Sequence, residues 1–352
     1  MFARLAKSIL KRTVSPALDG AGFYDRHLER LNGAHWLIVM YHRVIVDPTL
    51  DPFALGMCVS KQHFDEQIGF LRKTFHPIGM SQAVALLEQG RPLPERCVSV
   101  TLDDGYLDNL VHALPVLEKH AMPATLFVPT GGLDDDAPLW WDRAIHALAT
   151  TKRSTVAADL LGLTAPTTLP LSFWQRARTV ETILDALWER PLAQTLSTVA
   201  ALERELLPAG CPGSAAKRMN SKQILEMQHH GVEIAAHTVR HPNLTLEPES
   251  QVRWELETSK ASLEALCGTS IKGFAYPAGW LNDQTVNFAR EAGFRYAVAT
   301  STGFSAPQRN IFKLDRVGMP DSSPADFKRA LVNIARRGHA FGPDGATALP
   351  AA

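Results

Sequence analysis

Six short apolar segments, spread along the chain and separated by amphipathic stretches, constrain the fold more than any other feature. They are HWLIVMYHRV (35–44), CVSVTL (97–102), PATLFVP (123–129), VEIAAH (232–237), KGFAYP (272–277) and YAVAT (296–300). Their length and content predict buried strands. Between them, SKQHFDEQIGFLRKTF (60–75) predicts a helix that Ser60 can cap, with Phe64, Ile68, Leu71 and Phe75 on one face. SQAVALLEQG (81–90) and SKQILEMQHHG (221–231) each close on a glycine, as helices often do. PESQVRWELETSKASLEALCG (248–268) predicts a long helix with Val252, Leu256, Leu263 and Leu266 facing inward. Strands alternating with helices predict an α/β architecture with parallel strands.

The rhythm breaks over 139–220. From LWWDRAIHALATT (139–151) onward the pattern is helical and shows no convincing strand, so a mostly helical insertion is expected between α/β parts at 36–138 and 221–322. Residues 1–35 are expected as a basic helical segment, and 323–352 as a short helix with a loose Ala/Gly/Pro-rich tail. The Trp140–Trp141 pair is either a packing anchor or a platform for a sugar ring.

Composition narrows the function classes. Lys plus Arg equals Asp plus Glu at 36 each, so no overall field favours nucleic acid. Cys58, Cys97, Cys211 and Cys267 form no CxxC, which argues against a disulfide framework or a cysteine zinc site and suits a reducing compartment. No apolar run is long enough to span a bilayer. The N-terminus, MFARLAKSILKRTVSP, is too interrupted by Arg4, Lys7, Lys11 and Arg12 for a signal peptide, so a cytoplasmic location is expected. Residues 1–12 could hold the chain at the inner membrane face, or simply pack on their own domain. The sequence offers no signal for oligomeric state.

Polar residues collect where the strands end: Tyr41 and His42, Asp103 and Asp104, and His237. Catalytic groups gather at that edge in barrel-like α/β folds. Adjacent residues on a strand point to opposite faces, so Asp103 and Asp104 are expected to do two different jobs. HTVRH (237–241) puts His241 four residues after His237, a spacing that on a helical turn brings both imidazoles to one side. Two histidines and one carboxylate leave positions open on a catalytic divalent ion. The second carboxylate is then free to take a proton from water on that ion.

TLDDG (101–105) resembles the first motif of the polysaccharide deacetylases, the NodB-homology or carbohydrate esterase family 4 enzymes. HTVRH resembles their second motif, H-[ST]-x-x-H, and FAYPAG (274–279) is similar in form to the third, an aromatic–Arg–Pro–Pro–Tyr–Gly turn. The resemblance implies a distorted β/α barrel that removes acetyl groups from sugars. It implies Asp103 as general base and Asp104, His237 and His241 as ligands of a divalent ion, zinc first, with cobalt, nickel or manganese as alternatives. The chain departs from the third motif, where the family's Arg is Ala275 and its Tyr is Ala278. Tyr276 and Arg316 are the candidates to fill that space, with Pro277 beside them, although Arg316 could equally make an ordinary salt bridge. VMYHRV (39–44) resembles the N-terminal histidine motif of the circularly permuted subgroup that includes poly-N-acetylglucosamine deacetylases. That makes His42 the expected general acid rather than His339 in the tail.

The expected function is metal-dependent N-deacetylation of N-acetylated amino sugars, in a polysaccharide or in a lipid-linked precursor handled on the cytoplasmic side. Two other readings share the motifs. One is removal of formyl or another acyl group from a lipid-linked amino sugar. The other is a carbohydrate-binding relic, against which stands Asp103, since a binder has no need of a free carboxylate beside its metal.

Overall fold

Strand β1 (Trp36–Tyr41) is buried at every position and pairs in parallel with β5 (Cys97–Asp103) along its whole length, from Trp36↔Cys97 to Tyr41↔Leu102. Between them lie β2 (Arg43–Ile45), β3 (Cys58–Ser60) and β4 (His76–Pro77). After β5 come β6 (Ala124–Val128), β7 (Thr155–Val156), β8 (Thr167–Thr168), β9 (Glu233–Ala236), β10 (Gly273–Ala275), β11 (Tyr296–Val298) and β12 (Val317–Gly318). The computed structural model describes residues 15–29, 36–48, 57–135, 137–162, 166–207, 216–300, 305 and 310–338. The basic segment expected at residues 1–12, Cys211 and His339 lie outside these described residues.

The main sheet is parallel throughout, in the order β11-β10-β9-β6-β5-β1-β12, with β4 added beside β5. Its two ends meet. The Ala299 N–H donates to the Leu314 carbonyl at 2.8 Å and the Leu314 N–H to the Ala297 carbonyl at 3.1 Å. Three residues later β12 pairs with β1 at Val39↔Val317. The sheet therefore curls into the distorted β/α barrel that the resemblance implies, with the parallel strands that the alternation predicts.

Side-chain alternation sorts the core into two layers. Leu37, Val39, Val98, Val100, Leu102, Leu126 and Val128 face outward to the surrounding helices. Trp36, Ile38, Cys97, Phe127, Ala235, Ala275 and Val298 face inward and fill the bottom of the barrel with Met80, Ala83 and Val84. Ser60 caps the helix Lys61–Thr74 by accepting from the His63 N–H, as its position predicts.

The segment after Leu139 builds a third core of its own. Helices Trp140–Thr150, Phe173–Trp188 and Leu192–Leu206 bury Trp141, Leu148, Val180, Leu184, Val199 and Leu202 together. The antiparallel pairing of β7 with β8 is an exception to its helical pattern. With two residues per strand, no period can show in the sequence.

Candidate active site

Strand β5 carries a polar ladder on its inward face. Ser99 accepts a hydrogen bond from the Trp36 indole at 2.9 Å, Thr101 donates to the Val39 carbonyl at 2.9 Å, and Asp103 ends the row at the strand's C-terminal edge. Asp104 does not then turn to the opposite face. Its backbone is left-handed, with φ 71°, and Gly105 follows at φ 67°. This breaks the strand alternation, so both carboxylates meet one histidine. Asp103 Oδ2 lies 4.0 Å and Asp104 Oδ1 3.7 Å from His237 Nε2.

The histidine pair also meets by a route other than the expected one. His237–His241 is a loop, not a helical turn, because Thr238 and His241 both have positive φ, at 65° and 59°. The Thr238 hydroxyl accepts from the His241 N–H at 2.9 Å and closes the loop. Glu255, fully buried, accepts from the Val239 and Arg240 N–H groups at 2.7 and 2.9 Å and from Arg240 Nε at 3.0 Å. The backbone of Gly131 presses against the same loop, donating to the Val239 carbonyl at 2.7 Å. A Cβ on Gly131 would stand 2.7 Å from that oxygen, so only glycine allows the approach.

The residues present fit a cation. His237 Nδ1 faces the Ala275 carbonyl at 2.7 Å and must donate to it, which leaves the Nε2 lone pair free. His237 Nε2 and His241 Nε2 are 2.9 Å apart, and Asp104 Oδ1 is 3.5 Å from the latter. That oxygen is buried without a hydrogen-bond partner. Burial pushes the His237 imidazole down to about 4 and His241 well below its ordinary value, so both are neutral ligands at neutral pH. Asp104 is pushed well up by burial, Asp103 and Asp142, an opposition to its charge that a cation would remove. Two imidazole nitrogens and one carboxylate oxygen suit a borderline ion such as zinc, with positions left open.

Asp103 has a different environment. Arg316 grips it with two 2.7 Å bonds, Nη1 to Oδ1 and Nη2 to Oδ2, and also donates to Thr101 and to the Ala299 carbonyl. Burial raises the carboxyl, but Arg316, His237 and His42 together outweigh it and hold Asp103 below the usual carboxylate value. Ala275 faces into the same barrel from β10 with only a methyl group, which does not compete for the carboxylate. Tyr276 borders the cavity of the site, but its ring does not fill that space. Two-residue alternation turns its ring outward, 5.1 Å from Phe274, and its hydroxyl donates to the Phe312 carbonyl at 3.1 Å. Pro277 is buried and opens a short turn in which Ala278 has φ 52°.

His42 follows β1 and borders the same cavity of about 170 Å³ as Asp103, Asp104, His237, His241 and Arg316. Burial lowers its imidazole below the ordinary value, against the pull of Asp103. Trp141, Leu184 and Trp188 complete the wall from the other core. Trp141 packs 4.4 Å from the His241 ring and donates to the Tyr106 hydroxyl at 2.9 Å, which in turn donates to Asp142 at 3.0 Å. Trp140 donates to the His241 carbonyl at 3.3 Å.

Several of these supports escape a reading of motifs. Glu255 leaves a trace, an acid on the inward stripe of Val252 and Leu256. Arg218 leaves none. It bonds the carbonyls of Pro129 and Gly131 while its backbone bridges to Tyr106, tying the loop after β5 to the loop after β6.

A curled parallel sheet with a guanidinium-held carboxylate beside a His/His/Asp cluster at its C-terminal edge defines a hydrolase site. The chain belongs to the polysaccharide deacetylase family, hydrolases acting on amide bonds of polysaccharides: the family model described as polysaccharide deacetylase matches residues 90–150 and 178–297, just over half its length. A Bacillus subtilis (strain 168) protein named "Putative polysaccharide deacetylase YxkH" is 21% identical over 281 residues, 80% of this chain and 70% of that one. The poly-beta-1,6-N-acetyl-D-glucosamine N-deacetylase of Escherichia coli (strain K12) is 32% identical over 80 residues, 22% of this chain and only 12% of that protein. Among solved structures, the Streptococcus pyogenes deacetylase PplD in complex with acetate shares the fold at a TM-score of 0.58, with 19% identity over 86% of this chain and 99% of that one. IcaB from Ammonifex degensii shares it at 0.52, with 18% identity over 87% and 98%.

Proposed function

We propose that this chain removes acetyl groups from N-acetylated amino sugars of a polysaccharide or its lipid-linked precursor, with Asp103 as general base and His42 as general acid. The observation that carries the reading is the division of labour between neighbours. Asp103 is kept ionised by Arg316, while Asp104 joins His237 and His241. The E. coli relative's named substrate, a poly-N-acetylglucosamine, supports an N-acetylated sugar.

A divalent ion held by Asp104, His237 and His241 would polarise the acyl carbonyl and stabilise the charge that develops on its oxygen. Asp103 takes the proton of the attacking water, its carboxylate oriented by the two Arg316 bonds. His42 gives a proton to the amine nitrogen as the C–N bond breaks. Burial lowers its pKa against the pull of Asp103, so the imidazolium is a stronger acid than usual but the minor form at neutral pH. Trp141, Leu184 and Trp188 limit water on the side facing the sugar.

The test is bound-metal content together with acetate release from N-acetylglucosamine oligomers and lipid-linked N-acetylated sugars, for the wild type and Asp103→Asn. Activity in the wild type, lost in a variant that still binds metal, is expected. A wild type that binds metal but releases neither acetate nor formate would sink the enzyme reading. His42→Ala should slow amide cleavage more than cleavage of an activated ester, whose leaving group needs no proton.

A further inference from the structure

The core formed by Trp140–Leu206 exposes one contiguous apolar run at the start of its second long helix. Leu171 is 91% exposed, Trp174 72% and Phe173 37%, and the two rings lie edge to face at 5.0 Å. Scattered single apolar residues are ordinary on a surface, but a leucine and two aromatics within four positions are not.

The charged residues closest to this run in sequence are basic, Arg176 and Arg178, and Glu181 follows one turn beyond Arg178. Buried Arg176 donates to the carbonyls of Pro170 and Thr151 at 2.9 Å each and to that of Arg153 at 3.4 Å, which draws 151–153 alongside 170–171. Exposed Lys152 and Arg153 are thereby placed next to the apolar run, and exposed Arg178 lies one turn above Trp174. Arg153 also pairs with Glu205 at 3.2 Å. Neither 151–157 nor 166–180 contains an acidic residue.

We propose that Leu171, Phe173 and Trp174 seat the protein on an anionic lipid surface, with Lys152, Arg153 and Arg178 meeting the headgroups. Tryptophan beside an aliphatic tip and basic flanks is the chemistry of an interfacial anchor. A neutral glycan would use the aromatic faces but gain nothing from an exposed leucine or from three cations. No helix among the described residues is long and apolar enough to cross a membrane, so attachment here is peripheral. The same helix ends at Trp188 in the cavity wall, about 21 Å further along at ~1.5 Å per residue, so the anchor would stand one helix length from the chemistry. The inference does not depend on the deacetylase reading, since it can fail while acetate release succeeds.

The experiment is co-sedimentation of the full chain with phosphatidylcholine vesicles, with and without about a quarter phosphatidylglycerol. The wild type is expected to bind the anionic vesicles, less so as salt rises. Leu171→Ser/Trp174→Ser should weaken binding about tenfold or more, with unchanged thermal midpoint and unchanged turnover of a soluble oligomer. Lys152→Glu/Arg178→Glu should abolish the preference for anionic over neutral vesicles. Both comparisons are repeated with Arg4, Lys7, Lys11 and Arg12 replaced by Gln, where the anchor should still bind vesicles. Absence of vesicle binding in that background, or wild-type binding by Leu171→Ser/Trp174→Ser within it, overturns the proposal. So does a wild-type dimer that the double variant dissociates, which would assign the run to a second copy of the chain. Loss of binding to a soluble polysaccharide instead of vesicles would assign it to a glycan.

Discussion

The barrel edge and the 139–206 core meet at one cavity but contribute to it differently. The barrel supplies ionisable groups governed by buried partners: Arg316 holds Asp103 ionised, and the Ala275 carbonyl fixes the tautomer of His237. The other core supplies indole and leucine surface, and among the described residues it meets the ligand cluster through ring contacts, the Trp140 hydrogen bond and the charge of buried Asp142, which opposes that of Asp104. A barrel interior can hold charges because neighbouring strands present partners at fixed register. The helical core, packed on apolar stripes, offers mainly shape to the cavity, although it buries Asp142 and Arg176 against hydrogen-bond partners. Substitutions at the barrel edge should therefore change kcat, pH dependence or metal affinity, and those in the other core should change KM.

The largest effect is expected for Asp103→Asn, a loss of at least ~100-fold in kcat with metal content kept, since a positioned base contributes about 10²–10⁴. Arg316→Ala comes next. It leaves a buried carboxylate unpaired, at a cost of about 3–5 kcal/mol of stability by denaturant titration. It should also move the acid limb of the rate profile to higher pH: Asp103 must be ionised to act, Arg316 holds its carboxyl low, and burial alone raises it. An unshifted limb would separate Arg316 from the base. Glu255→Gln, measured by calorimetric titration with zinc, should cost about 10–100-fold in metal affinity by loosening the loop that presents His241. Trp188→Ala is the counter-test. It should raise KM for a sugar oligomer with kcat little changed, and a selective fall in kcat would erase the distinction between the two regions. Arg143→Ala, which removes the pair with Glu203 at 2.6 Å, should cost no more than about 1 kcal/mol, because both groups reach solvent.

Much of this was legible along the chain. The apolar segments gave the barrel strands, and polar residues at their ends marked His42, Asp103, Asp104 and His237 as neighbours. Local backbone was harder to read. Nothing in TLDDG or HTVRH announces three left-handed residues at Asp104, Thr238 and His241, because αL is rare outside glycine, and the 237–241 loop is braced by Glu255 from a distant helix. The two-residue strands of β7–β8 were invisible for want of length. Tyr276 was a reasonable candidate by position, but alternation gave its side chain to the outer layer.

The order of strands and helices, the identity of the chemical groups and their place at strand ends were determined by sequence alone, because hydrophobic period and residue type are local properties. Which cation steadies Asp103 was decided only when the sheet closed. Arg316 is 213 residues from Asp103 along the chain and reaches it because β12 pairs with β1, the neighbour of β5. Pairing across a curled sheet depends on register, and register is a property of the assembled barrel rather than of any one segment.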